Sequence, residues 1–314
     1  MIVGTDDAVR LLQGGNAVAI PTETVYGLAC VLTAQAAEKV FALKGRPKDN
    51  PFIVHIARLE DISSVARDVP QCAYALAGAF WPGPLTIVLP KAKCVPLAVT
   101  AGLDTVAVRC PAHPAAREII EKTGPLAAPS ANISGRPSPV SAAHVLADFD
   151  VPVVDGGECE VGLESTVVSL CGEAPRLLRP GAVTPDMLRG VLGTLELDAS
   201  LLSGVSAGTP PSPGMKYRHY APKMPLAVLH GRAEDAARFV RERGAGALVG
   251  AEEAALFSGL PNVVYTPQGL FGALRRVDAL AVDTVYVRVP PPQGIGLAVC
   301  NRLYKAAGYK EVRV

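Results

Sequence analysis

AQAAEKVFALKGRPKDNPFIVHI, residues 34–56, holds a helix and a strand back to back and decides how the rest of the chain is read. Ala37, Val40 and Phe41 recur at helical spacing, and Gly45 with Pro47 beyond it stops the helix after Lys44. Phe52–Ile56 is a short apolar run set off by Pro51, the mark of a buried strand. The same alternation extends outward through residues 1–202. The spacing predicts helices over 6–13 (stopped by Gly14-Gly15), 70–80, 114–122, 141–147 and 185–192. Apolar runs predict strands at 17–20, 85–89, 105–109, 126–128, 152–154 and 166–170. Helices and about seven strands in this order make a mixed α/β or α+β domain. Residues 203–222, SGVSAGTPPSPGMKYRHYAP, are rich in proline, glycine and serine and read as a linker. Residues 223–314 then alternate strictly: strands at 225–229, 246–249, 262–265 and 283–289, with helices at 233–243, 251–257, 268–276 and 295–307. That pattern predicts a small, parallel, Rossmann-like α/β domain.

A chain of 314 residues fits two domains, and 49% hydrophobic against 19% charged residues is enough for real cores. No apolar run approaches the roughly 20 residues of a membrane span. The first residues, MIVGTDDAVRLL, lack the basic and apolar regions of a secretory signal. Seven cysteines without a CxxC pair fit neither a disulfide scaffold nor a zinc knuckle. A cytoplasmic protein with reduced thiols is the expectation. The net charge of +1 conceals 16 Lys+Arg against 21 Asp+Glu in residues 1–200, and 14 against 8 in residues 201–314. No block of five like charges marks a nucleic-acid face.

There is no GxxxxGK[ST] loop, GxSxG elbow, HExxH or EF-hand loop. Gly294-Ile295-Gly296 lacks the surroundings of a dinucleotide site and reads as close packing. What stands out are polar turn clusters after predicted strands, where open α/β sheets gather ligands. Pro21-Thr22-Glu23-Thr24-Val25-Tyr26-Gly27 offers hydroxyls and a carboxylate, although a threonine there is also a common helix cap. Lys44-Gly45-Arg46-Pro47-Lys48-Asp49-Asn50-Pro51 sets three cations on a stiffened stretch suited to phosphates, or merely offsets a helix dipole. His55 follows on a strand, where a histidine is packed more often than it is catalytic. Ser130, Asn132, Ser134 and Ser138 crowd the exit of the 126–128 strand, while Arg109 and Arg179 end strands and Ser165 precedes one. Together they favour a polyanionic substrate with a small polar co-substrate. Within the linker, Lys216 to Tyr220 pack two tyrosines, a histidine and two cations into five positions, more suited to a lid over a nucleotide than to a spacer.

PTETVYGL, KGRPKDNPFIVHI, FWPGPLT, GLDTVAVRCPAHP, PLAAPSAN, RPSP, ESTVV and LLRPG occur in that order. They resemble the YrdC-type domain of the threonylcarbamoyl-AMP synthase family. SPGMKYRHYAP and the domain ending GIGLAVCNRLYKAAG are similar to that family's long, two-domain form. The resemblance implies a twisted mixed sheet with helices and a reaction joining L-threonine, bicarbonate and ATP, with Mg2+ accompanying the ATP. It implies threonine contacts at Thr22, His55, Arg109, Ala128 and Ser165, with Arg109 on the carboxylate. It places Lys44, Arg46 and Asn50 at the ATP phosphates, Lys44 and Arg46 as the catalytic pair. Thr105, Ser130, Asn132, Ser138 and Arg179 fall along the nucleotide and Tyr217 in a lid. No protein metal cage is implied, and the product passes to a threonylcarbamoyl transferase and, indirectly, to tRNA. On this reading alanine at Lys44 or Arg46 removes activity and leaves the fold intact. Two other readings stand beside it: an RNA-binding module without ATP turnover, and carbamoyl transfer to another acceptor.

Overall fold

The computed structural model describes residues 1–198, 201 and 219–314. Most of the 203–222 stretch, Tyr217 included, lies outside the described residues. Two compact units emerge. One takes Met1–Ser134 and the described residues from Ser138 to 201; the other takes Gly135–Pro137 and the described residues from 219 onward.

The first unit is built on a nine-stranded sheet: β1 Val18–Ile20, β2 Gly27–Val31, β3 Ile53–His55, β4 Leu85–Pro90, β5 Thr105–Arg109, β6 Leu126–Ala127, β7 Thr166–Ser169, β8 Arg176–Arg179 and β9 Glu196–Leu197. Their spatial order is β1-β2-β6-β3-β5-β4-β7-β8-β9. β3/β5, β4/β7 and β8/β9 are parallel, and the remaining five neighbours antiparallel. The sheet is therefore mixed, with two strands more than the apolar runs predict. β2 and β9 lie outside every strand read from the sequence, β2 because it abuts a polar motif that disguises its period, and β8 is foreshadowed only as the strand that Arg179 ends. Residues 152–154, read as a strand, form only isolated bridges from Val153 to Ile2 and Ala19.

Helix Ala34–Lys44 begins at Thr33, whose hydroxyl caps the Ala36 N–H, and ends at Gly45 with φ +58°, where a side chain would be strained. Helices Thr5–Gln13 and Pro114–Thr123 cover one face of the sheet. Their Ala8, Leu12, Ala116, Ile119 and Ile120 pack on Ile20, Ala29 and Leu126. A second apolar cluster, Ile53, Val88, Ala107, Val167 and Leu178, runs across the central strands.

The second unit holds a five-stranded parallel sheet in the order β12-β11-β13-β10-β14: β10 Leu226–His230, β11 Gly246–Gly250, β12 Asn262–Tyr265, β13 Val285–Val287 and β14 Glu311–Arg313. β14 lies beyond the elements read from the sequence. The helix expected at 251–257 is reduced to a 3-10 turn, Ala254–Phe257. Gly296 is packed so closely that a Cβ would sit 2.2 Å from the Pro291 carbonyl oxygen.

Candidate active site

Side chains two apart on a strand share a face, and so do residues paired across strands. His55 pairs with Arg109 between β3 and β5. Val88 pairs with Ala107, which sets Thr86 opposite Arg109, and Thr86 pairs with Val167. The face that carries the apolar row Ile53, Ala107, Val88 and Val167 therefore carries, one step along, a polar row of His55, Arg109, Thr86 and Ser165. All four are at least 96% buried. Thr105 opens β5 on this face and is half-buried. Thr86 belongs to FWPGPLT, yet its place opposite Arg109 depends on a pairing that the motif does not reveal.

Arg109 is the hub. Its Nε donates to Gly83 O at 3.2 Å, its Nη1 to Thr24 Oγ1 at 2.8 Å, and its Nη2 lies 2.7 Å from Glu23 Oε1. Thr24 is steadied by Thr22, hydroxyl to hydroxyl at 2.9 Å, and Thr22 donates to Val25 O at 2.6 Å. Two of the five guanidinium N–H groups are hydrogen-bonded, one at Nε and one at Nη1, while Nη2 faces Glu23 as a close ion pair without hydrogen-bond geometry, so N–H groups remain for another acceptor. Thr86 Oγ1 and Ser165 Oγ are 2.7 Å apart; Arg179 donates to Ser165 through Nη2 to Oγ at 3.1 Å and Nε to the carbonyl at 3.0 Å. Gly181 permits this, since a Cβ there would lie 2.5 Å from the Thr166 nitrogen.

The PSAN turn lies beside the PTETVYG turn. Leu28 N donates to Pro129 O, Ala131 N to Tyr26 O and Tyr26 N to Pro139 O. Ala128 follows β6 and donates its N–H to Ile53 O. Lys44, 1% exposed, sits beneath the turn, with Nζ donating to Ser130 O at 2.6 Å and to Asn132 O. Burial, reinforced by the Arg46 charge, holds the Lys44 amine well below the ordinary lysine range. Ser130 Oγ donates to Asn132 Oδ1 at 2.5 Å and Ser138 Oγ to Glu164 Oε1 at 2.6 Å. Arg46 and Asn50 form a grouping of their own. Arg46 donates to Asn50 O and Pro51 O at 3.0 and 2.8 Å and lies 5.5 Å above the Phe52 ring. Sequence reading assigned no role to Glu23, Thr86 or Glu164, although all three stand inside the quoted motifs. The cations Lys44, Arg109 and Arg179 are all buried, which suits a small ligand and not an RNA surface.

Burial, reinforced by Arg109, pushes His55 down to about 3. The ring is neutral near pH 7, with Nδ1 on Ile53 O at 3.2 Å. Unfolded, it titrates near 6.5. Between pH 6.5 and 3 the unfolded chain binds the extra proton, so stability tied to the neutral ring is complete above the upper value. It falls away as the pH drops, by up to about 1.4 kcal/mol per pH unit. His55→Gln is expected to flatten the decline of the urea midpoint between pH 6.5 and 4. Parallel profiles for the two proteins would contradict this account of the ring.

The chain is similar to known proteins over almost its whole length. Residues 10–181 match the family described as telomere recombination, and residues 183–308 match the C-terminal domain of threonylcarbamoyl-AMP synthase. Threonylcarbamoyl-AMP synthase of Pyrococcus abyssi is 44% identical, over 98% of this chain and 95% of that protein. The Bacillus subtilis synthase is 42% identical, over 98% and 93%. The crystal structure of P. abyssi Sua5 complexed with L-threonine superposes with a TM-score of 0.90 at 42% identity, covering 99% of this chain and 96% of that one. With both domain models matched in order and full-length relatives at this identity, the chain belongs to the threonylcarbamoyl-AMP synthase family.

Proposed function

We propose that this protein makes L-threonylcarbamoyladenylate and pyrophosphate from L-threonine, bicarbonate and ATP, the first step of threonylcarbamoyladenosine formation on tRNA. The observation that carries the reading is Arg109, fixed on the sheet beside His55, Thr24 and the Ser165–Arg179 pair with N–H groups to spare. It stands in a chain 42% identical to a Sua5 crystallised with threonine. Threonine's carboxylate takes two of those N–H groups, with Thr22, His55, Ala128 and Ser165 around the rest of the amino acid. The threonine amine attacks the bicarbonate-derived carbon with loss of water. A carbamate oxygen then attacks the α-phosphorus of ATP, and pyrophosphate leaves. Two anions have to meet, so fixed cations and exclusion of water supply the catalysis, without a protein nucleophile.

Arg46, Asn50, Thr105, Ser130, Asn132, Ser138 and Arg179 hold the nucleotide. Lys44 acts by shaping the turn that presents Ser130 and Asn132. Among the described residues no three His, Cys, Asp or Glu side chains gather as a metal cage. Mg2+ would accompany the triphosphate, where it would offset charge on the departing pyrophosphate. No helix of the described residues is long and apolar enough to cross a membrane. The seven free cysteines favour a reducing cytoplasm, from which the adenylate passes to a threonylcarbamoyl transferase acting on tRNA.

The direct test is mass spectrometry of reactions containing ATP, Mg2+, bicarbonate and single amino acids, with pyrophosphate followed in parallel. The expected product requires both threonine and bicarbonate. Pyrophosphate release with a different amino acid alone would move the substrate, and no ATP turnover under any condition would sink the reading.

A further inference from the structure

We propose that Glu23 is a positioning residue for the amino-acid subsite, acting through Arg109; the inference rests on the reading of that subsite given above. Glu23 is 6% exposed and its carboxylate is divided between two tasks. Oε1 lies 2.7 Å from Arg109 Nη2, while Oε2 accepts the Ala112 N–H at 3.0 Å. Its backbone carbonyl accepts the Val161 N–H at 2.8 Å. One residue thus ties the turn at 22–26 to the chain leaving β5 and to the loop before β7.

The guanidinium is planar, so the hydrogen bonds at Nε and Nη1 set its plane, and the Glu23 carboxylate at Nη2 holds its charge in place. Gly83 O and Thr24 Oγ1 are neutral acceptors; Glu23 alone among the three is charged. Two consequences follow. The remaining Nη hydrogens are aimed before any ligand arrives, which is the condition for bidentate recognition of a carboxylate. The Arg109 charge is also balanced while the subsite is empty, so binding depends on geometry more than on bare attraction. A residue serving only to hold the fold would affect every ligand alike. Glu23 should affect only ligands that present a carboxylate.

L-threoninol, which replaces the carboxylate by an alcohol, separates the two cases. Calorimetric binding of L-threonine and L-threoninol to the full chain is compared for wild type, Glu23→Gln and Glu23→Asp. Glu23→Gln is expected to weaken threonine at least about tenfold, to leave threoninol within about twofold, and so to collapse the preference between them. Glu23→Asp keeps the charge on a shorter arm, and an intermediate loss is expected; it also serves if the glutamine variant does not fold. A preference unchanged in the variants, or both ligands weakened together, overturns the assignment. A wild-type protein that shows no preference for threonine over threoninol overturns the reading of the subsite itself, and the role of Glu23 with it.

Discussion

Arg109→Gln is expected to lower kcat/KM for threonine by about 10²–10⁴-fold while the KM for ATP stays within about twofold. A hydrogen bond to a charged partner contributes roughly 1.5–3 kcal/mol, and each 1.4 kcal/mol is about tenfold, so losing a two-pronged carboxylate contact gives that range. Glutamine is chosen over alanine for a structural reason. The Arg109–Glu23 pair is almost fully buried, and removing one partner outright leaves a charge uncompensated, at about 3–5 kcal/mol. The glutamine amide can still donate toward Thr24 or Glu23 and limits that loss. Steady-state rates at varied threonine and varied ATP, with a melting curve on the same preparation, separate the two effects. Wild-type dependence on threonine in a folded Arg109→Gln protein would remove Arg109 from the carboxylate subsite. Loss of ATP affinity in place of threonine affinity would move it to the nucleotide.

Much of the element pattern was legible because it is local. Thr33, the apolar period and Gly45 suffice to bound the helix Ala34–Lys44, and the run from Thr105 to Arg109 is a strand from end to end. What escaped depends on partners far along the chain. Strand β2 begins inside PTETVYGL, where Gly27 and Leu28 pair with Ile20 and Ala19 of β1, and its far end, Cys30 and Val31, pairs with Ala127 and Leu126 about a hundred positions on. Residues 152–154 are apolar enough for a strand, but Val153 finds only single bridges. The order of the nine strands could not come from periodicity, because a neighbour such as β7 lies some 80 residues from β4. The site divides along the same line. Turn clusters and strand-end arginines were visible as residue types in special places. That Glu23 meets an arginine 86 positions away, or that Thr86 and Ser165 touch across 79, follows only from register. Lys44 is read from the sequence as a phosphate ligand, and only the fold shows its Nζ on the Ser130 and Asn132 carbonyls.

Lys44→Ala and Arg46→Ala, alike in the sequence, should therefore part company. Lys44 is fully buried, with its Nζ donating to the Ser130 and Asn132 carbonyls and its own carbonyl accepting the Ser134 N–H. Alanine would strand two carbonyl oxygens under the PSAN turn and leave a void where the stem ran. At roughly 1–3 kcal/mol for each unsatisfied buried polar group, a stability loss of about 2–5 kcal/mol is expected. Activity should nearly vanish with it, as the turn that carries Ser130 and Asn132 loses its support. Arg46 is half-buried on a loop, and its guanidinium, unlike the Lys44 amine, is partly open to solvent where it donates to the Asn50 and Pro51 carbonyls. Its alanine variant should lose no more than about 1 kcal/mol of stability and still show severely reduced adenylate formation at moderate ATP, recovering as ATP is raised. Urea midpoints and product yields at two ATP concentrations decide between the cases. A Lys44→Ala protein as stable as wild type, but deficient in a way that high ATP repairs, would return Lys44 to the phosphates. An Arg46→Ala protein with unaltered ATP dependence would take that loop out of the nucleotide site and leave phosphate binding to the arginines at the strand ends.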